Sequence, residues 1–244
     1  MQINNAGTGS VNMWKIRHIF DGDFGCEEQD PDEMMVSVTL ANEDGDEKLE
    51  TVPDAWLVKN HLEVGSEWPD YSGLALETAD LVIKKAVWED WPDIYRNLWR
   101  HAESAKYMLW DVTISEAEAQ KRMERTLRFQ KYHKYSFFIY EKSSNCAIGF
   151  VGMTELQPGI FEDIGLALGP DYTGRGYGTQ VFTALLDEVK RCGALKFIGT
   201  CRKQNLASHA LMMRCGFRFS HDEDRVDPRD GSPYVLEFNE IRFC

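Results

Sequence analysis

Residues 13–70 alternate apolar and polar positions in short runs, whereas from residue 79 such runs are interleaved with stretches of helical period. In the first part, Trp14-Lys15-Ile16-Arg17-His18-Ile19-Phe20 alternates up to an Asp21-Gly22 turn, which predicts a strand. Met35 to Leu40 predicts a second strand, Asn42-Glu43-Asp44-Gly45 a hairpin turn with the Asp-Gly signal, and Leu49 to Val52 the returning strand. Pro53 to Leu57 reads as a short helical turn and Leu62 to Trp68 as a last short strand. The expectation is a small, acidic, β-rich module over 13–70. Residues 1–12 are small and polar without a period and predict a disordered tail; residues 71–78 predict a linker.

From Ala79 the pattern changes. Ala79 to Ala86 predicts a strand, and Trp88 to Trp110 a long aromatic-rich helical region broken around His101 to Ser104. Ser115 and Glu118 form a capping box, opening a helix with Ala119, Met123 and Leu127 on one face. Tyr135 to Tyr140 and Ala147 to Leu156 predict a hairpin around Ser143-Ser144-Asn145, and Phe161 to Leu168 the next strand. Val181, Phe182, Leu185, Leu186 and Val189 make one apolar stripe on a helix that Gly193 ends. Lys196 to Cys201 predicts a strand, Asn205 to Cys215 a helix closed by Gly216, and Phe217 to Ser220 and Tyr234 to Phe243 two further strands.

Composition narrows the class. The apolar and charged fractions of the 244 residues are those of a soluble globular protein. The longest run of apolar residues and glycine, Ala147 to Met153, is too short to cross a bilayer. No secretory signal is legible, and the six cysteines show neither a Cys-x-x-Cys pair nor metal spacing with His. The expectation is a cytoplasmic protein that holds no metal and engages no membrane. Charge is uneven: residues 1–76 carry 16 acidic and 4 basic side chains, a net of −12 out of a total of −13. An acidic chain disfavours nucleic acid and suits cationic amines or basic peptides; a merely solvated acidic surface reads equally well.

The chemistry gathers between Phe161 and Gly193. A strand runs into Gly169-Pro170-Asp171-Tyr172-Thr173, then Gly174-Arg175-Gly176-Tyr177-Gly178, then a helix. Unpaired N–H groups at a helix start point at an anion, and glycine lets the backbone approach it. A Walker loop fails, because Arg175-Gly176 follow Gly174 where Lys-Ser/Thr should stand. A dinucleotide fingerprint fails at Thr179, where its third glycine should be.

The stretch resembles the pyrophosphate loop of coenzyme A in the GCN5-related N-acetyltransferases (GNAT), which runs Arg/Gln-x-x-Gly-x-Gly/Ala. Gly176-x-Gly178 fits, and Thr173 stands where Arg or Gln is usual. Asn205-Leu206-Ala207-Ser208, with Leu211 and Arg214-Cys215-Gly216-Phe217, resembles the family's Asn-x-x-Ser … Lys-x-Gly-Phe segment, most like the RimJ/RimL subgroup. The element order over 79–243 matches as well. The resemblance implies an α+β fold with a mixed, mostly antiparallel sheet flanked by helices over 79–244. It implies an acetyl-CoA-dependent N-acetyltransferase acting on a primary amine, of a protein N-terminus or a small molecule, as RimJ/RimL-type enzymes do.

The resemblance also implies roles. Thr173, Gly174, Arg175, Gly176, Tyr177 and Gly178 would hold the pyrophosphate, with Thr179 capping the helix. The backbone of Leu166, Ala167 and Leu168 would pair with the pantetheine, and Asn205 would reach it or the thioester. Glu162 matches the catalytic-glutamate register of histone-type enzymes and Asp163 the acidic register of the RimJ/RimL type; Asp163 is preferred as base. Most of the family has a Tyr acid where this chain has Met212, so Ser208 is the substitute for hydrogen-bonding the sulfur. His209 and Arg214 read as surface residues, and Cys201 or Cys215 as a minor alternative acyl carrier. Trp88, Trp91, Trp99, Tyr107 and Trp110 read mostly as core, one or two lining an acceptor pocket. The departures at Thr173 and Met212 keep an inactive acyl-CoA-binding sensor or scaffold as the rival. For the module over 13–70, substrate gating, a homodimer contact and plain stability stay open.

Overall fold

The computed structural model describes residues 13–21 and 35–243; the expected tail over 1–12 and the turn at Gly22 lie outside them. The chain divides into two compact units, Met1–Asp70 and Tyr71–Cys244.

In the first unit β1 (Lys15–Asp21), β2 (Met35–Ala41) and β3 (Glu47–Pro53) form an antiparallel sheet in chain order. Alternation puts Val36, Val38 and Leu40 on one face, where they pack out of water with Ile16, Val52 and Leu57 of α1 (Asp54–Lys59). The Asn42 side chain accepts the Asp46 N–H at 2.8 Å and closes the β2–β3 turn. The expected strand at Leu62 to Trp68 is not one. The Ser66 N–H turns back to the Glu63 carbonyl and breaks the run; a single bridge joins Glu67 to Lys15. Irregular bonds hold the segment to β1, among them Gly65 N–H to Ile16 O at 2.8 Å and Trp68 N–H to Trp14 O at 2.7 Å.

The second unit is an eight-stranded sheet. Its strands are β4 (Ala75–Glu77), β5 (Leu81–Lys84), β6 (Ser136–Glu141), β7 (Cys146–Gln157), β8 (Ile160–Leu168), β9 (Lys196–Arg202), β10 (Arg218–Val226) and β11 (Pro233–Arg242). They lie in the order β10-β11-β9-β8-β7-β6-β5-β4, antiparallel except at β8–β9. The stretch 71–78 is therefore not a plain linker: β4 pairs with β5, and Leu74 and Leu76 pack on the core.

The helices are α2 (Trp91–Ile94), α3 (Ala102–Ala105), α4 (Glu116–Tyr132), α5 (Tyr177–Arg191) and α6 (Leu206–Arg214). The long helical region expected from Trp88 to Trp110 is a chain of short pieces instead. Asp90 accepts the Val87 N–H at 2.8 Å to start a tight turn, and Arg100 N–H reaches back five residues to the Tyr95 carbonyl. That wide turn ends the helix before His101. At α4 the Ser115 hydroxyl accepts the Glu118 N–H at 3.2 Å, while Glu118 reaches back to Ile114 N–H rather than to Ser115 itself. The Lys85 ammonium closes the other end of α4, lying 2.6–3.0 Å from four carbonyls including Gln130 and His133.

Alternation along the strands builds a core on each face. Phe137, Ile139, Phe161 and Phe197 pack with Val181, Phe182 and Leu185 of α5 and Met212 of α6. Phe138, Tyr140 and Ala147 pack with Ile94 of α2, Trp99 of the wide turn and Met123 of α4.

Candidate active site

The parallel strands β8 and β9 pair only from Ile160–Lys196 to Glu162–Ile198, although both continue for several residues. Beyond that point they part. On its other edge β8 stays paired with β7 to Leu168, with a bulge at Ile164 between the Met153–Asp163 and Gly152–Gly165 pairs. Backbone on the β9-facing edge of β8 is thereby left outside any ladder at Leu166 and Leu168, whereas Ala167 turns the other way, its carbonyl against Gly149 of β7. The opening is a cleft of about 760 Å³.

Asp163 sits at the apex of the fork. It is 7% exposed, and its Oδ1 accepts the Thr200 N–H of β9 at 2.7 Å. Burial pushes its carboxyl up to about 7, against the pull of the Thr200 hydrogen bond and with a push from the Glu162 charge. Glu162, the other acidic candidate, does not line the cleft. Its carboxyl is raised too, chiefly by burial, with Arg225 and Glu223 as its charged neighbours.

The glycine loop forms one wall. Gly174 (φ 74°) and Gly176 (φ 79°) both occupy the left-handed region, so a side chain at either is strained whatever the room around it. Gly178 answers a different need: a Cβ there would stand 2.9 Å from Leu211 Cδ2. Helix α5 begins at Tyr177 with Gly176 as its cap and no side-chain cap bond. Thr179 therefore stands inside the first turn and is not the cap, because the left-handed glycine before Tyr177 starts the helix two residues earlier. The first-turn N–H groups have no intrahelical partner and open on the cleft with Thr173, Gly174, Gly176, Gly178 and Thr179. Arg175 is elsewhere: its guanidinium meets Glu141 at 3.3 Å and lies over the Tyr172 ring. Tyr177 also donates to Glu141, at 2.8 Å, and that hydroxyl is the main reason the Glu141 carboxyl lies below its ordinary value.

The opposite wall is the start of α6. The Asn205 side chain caps it, accepting the Ser208 N–H at 3.2 Å, and both residues line the cleft. The buried Cys201 thiol donates to Glu237 Oε1 at 3.9 Å. Burial and the Glu237 charge push that thiol up to about 12. His209 is not a lone surface residue: Nδ1 lies 2.6 Å from Oε1 of buried Glu237, which also accepts from Asn239. Arg214 is exposed but stands at the cleft mouth, and Met212 is buried beneath it.

Residues 80–218, more than half of the chain, match the family model described as acetyltransferase (GNAT) domain. The chain belongs to the GNAT acetyltransferase family. It is 23% identical over 145 residues to the uncharacterized N-acetyltransferase YnaD of Bacillus subtilis, covering 59% of this chain and 82% of that one. A putative ribosomal-protein-serine acetyltransferase from Vibrio cholerae superposes with a TM-score of 0.61 at 19% identity, over 70% of this chain and 99% of the other. The microcin C7 self-immunity acetyltransferase MccE, solved with acetyl-CoA and AMP, gives 0.60 at 18% identity, over 68% and 94%. At these identities the superpositions speak for the fold, a GNAT sheet with its helices, and the first unit adds a separate three-stranded sheet.

Several GNAT cleft residues escaped the motif reading. Glu103, Ser104 and Met108 line the cleft beside Tyr107, although the broken helix that carries them has no regular period to read. Thr200 and Arg202 of β9 line it too; their signal is alternation with buried Cys201 on a strand next to an acidic one. Arg202 is held at 2.6 Å by Asp227, which Arg229 also grips, and Arg229 donates to the Trp110 carbonyl. Those two guanidinium groups, Arg229 first, hold the buried Asp227 carboxyl well below the usual carboxylate range.

Proposed function

We propose that the second unit transfers an acetyl group from acetyl-CoA to a primary amine, by direct attack of the amine on the thioester. One observation carries this reading: where the β8–β9 ladder stops, an anion cradle and a buried carboxylate line the same cleft. The cradle suits a pyrophosphate, with two left-handed glycines and uncapped first-turn N–H groups of α5 aimed into it. Thr173, Gly174, Gly176, Gly178 and Thr179 would hold that end, and the edge of Leu166–Leu168 with Asn205 the pantetheine arm. Arg175 acts at one remove, by fixing Glu141 and with it Tyr177.

Acetyl-CoA supplies the activated acyl group; the chain supplies the proton chemistry. Asp163, with a carboxyl near 7, is poised to take the ammonium proton at neutral pH, directly or through a water. Ser208 is the donor on the cleft wall where Met212 has none. Cys201, its thiol pushed up to about 12, is a poor nucleophile, which supports direct transfer over an acyl-cysteine. A protein N-terminus is among the acceptors this reading includes, in line with the ribosomal-protein acetyltransferase among the neighbours. A cytoplasmic location belongs to it too, supported by free thiols at Cys146, Cys192, Cys201 and Cys215. No described helix is long and apolar enough to cross a membrane.

Thiol release from acetyl-CoA with a panel of primary amines tests the proposal, with mass spectrometry to find the acetylated product. Amine-dependent release is expected. Coenzyme A that protects the fold thermally while no amine ever releases thiol would make the protein a sensor instead.

A further inference from the structure

The bulge at Ile164 divides β8 between two cavities. Asp163 and Gly165 line the coenzyme cleft, while Ile164, 41% exposed, lines a second cavity of about 630 Å³ between α4 and the sheet. That volume is in the range of small-molecule sites. Its floor is Phe138, Phe150 and Ile164, and Phe129, 43% exposed and stacked on His133 at 3.6 Å, forms a wall.

Two arginines one helical turn apart, Arg122 and Arg125, close the remaining side. Arg122 is clamped between the rings of Trp99 (4.6 Å) and Trp110 (4.3 Å) and donates to Thr113 Oγ1 at 3.1 Å. Among the described residues, no carboxylate forms an ion pair with either guanidinium. The indole N–H of Trp110 likewise finds no acceptor. Burial, and then the Arg125 charge, lower Arg122 to about 10. Two like charges on one helix face repel, and a half-buried cation without a counter-ion costs stability. An anion held between the arginines would remove both penalties, and the aromatic floor would take an apolar body attached to it.

We propose that this cavity is a binding site for an organic carboxylate with an aromatic or branched apolar body. The carboxylate pairs with Arg125 and Arg122, and the body packs on Phe129, Phe150 and Ile164. The charge and the body come from opposite sides of the cavity, so neither a small anion nor an uncharged aromatic satisfies both.

Calorimetric titration of the full chain with phenylacetate, acetate and phenylacetamide tests the site. Saturable binding of phenylacetate is expected, with acetate and phenylacetamide at least tenfold weaker. Arg125→Gln, on an exposed side chain, should weaken phenylacetate at least tenfold, and Phe129→Ala should weaken it without abolishing charge selectivity. Thermal protection by coenzyme A should be unchanged in both variants, which separates this site from the coenzyme assignment. L-Phenylalanine distinguishes two sources of the carboxylate. Acetylation that falls in Arg125→Gln makes it part of an acceptor; binding without acetylation makes it a separate ligand. Absent saturation, equal binding of phenylacetamide, or an unchanged affinity in Arg125→Gln would overturn the proposal.

Discussion

The two halves of the β8–β9 pair are made from the same strands and do opposite things. From Ile160 to Glu162 the strands form an ordinary parallel ladder, with Phe161 and Phe197 sunk into the core. One residue further on, the Thr200 N–H is taken by the Asp163 carboxylate instead of a strand carbonyl. A side chain thus replaces a ladder bond, satisfying the donor while holding the strands apart. Hydrophobic packing zips the lower half, and a polar substitution opens the upper one. The cleft is a property of where that exchange occurs.

The largest expected effect comes from breaking the exchange at its centre. Asp163→Asn keeps an oxygen for Thr200 but cannot take a proton, so kcat/KM should fall by roughly 10²–10⁴, whereas Glu162→Gln, outside the cleft, should cost only a few-fold. A larger loss in Glu162→Gln than in Asp163→Asn would move the base from the open half to the zipped half. The pH profile reports the same group. With the native carboxyl near 7, the wild-type rate should rise through that pH as the base ionises.

Stability runs the other way. The folded value of about 7 exceeds the ordinary 3.8, so between these pH values the native state keeps a proton the unfolded chain has lost. Stability must therefore fall as pH rises across that window and level off above it, by at most roughly 4 kcal/mol. Asp163→Asn removes this slope, which denaturant unfolding at pH 5 and pH 8 measures.

The next effect sharpens the comparison at the cleft wall. Gly176→Val forces a β-branched residue to φ 79° and should weaken coenzyme A at least tenfold by calorimetry. Arg175→Gln should do less, because Arg175 lies on Glu141 rather than in the cradle. A larger loss at Arg175 than at Gly176 would mean that charge, not backbone shape, holds the coenzyme.

How much of this was legible beforehand differs along the same lines. The core stripes of α4 and α5 and the turn at Gly193 could be read because periodicity and caps are local. The element order that carries the GNAT fold followed from them. The resemblance singles out Glu162 and Asp163 and prefers Asp163, and alternation lets only one of the two face the cleft, but which one does so depends on where the ladder stops, a non-local fact. The resemblance places Arg175 on the phosphates, and the structure places it elsewhere. Its partner, Glu141, lies 34 residues away on β6. The segment from Trp88 to Trp110 misled for a physical reason: aromatic spacing resembles a helix, while Asp90, Pro92 and the wide turn at Tyr95 break it into short pieces.

The smallest effect separates the two helix starts that face each other across the cleft. Helix α6 closes its own N-terminus with the Asn205 side chain; α5 begins at a glycine and leaves its first-turn N–H groups open. If the open end exists to receive an anion, only the closed one should respond to losing a side chain. Asn205→Ala should cost about 1 kcal/mol of stability, a thermal midpoint lower by roughly 2–4 °C. Thr179→Ala, inside the first turn of α5, should change stability by less than about 0.5 kcal/mol. Comparable losses at the two positions would mean that Thr179 caps α5 after all, and that its first turn is already satisfied without a coenzyme.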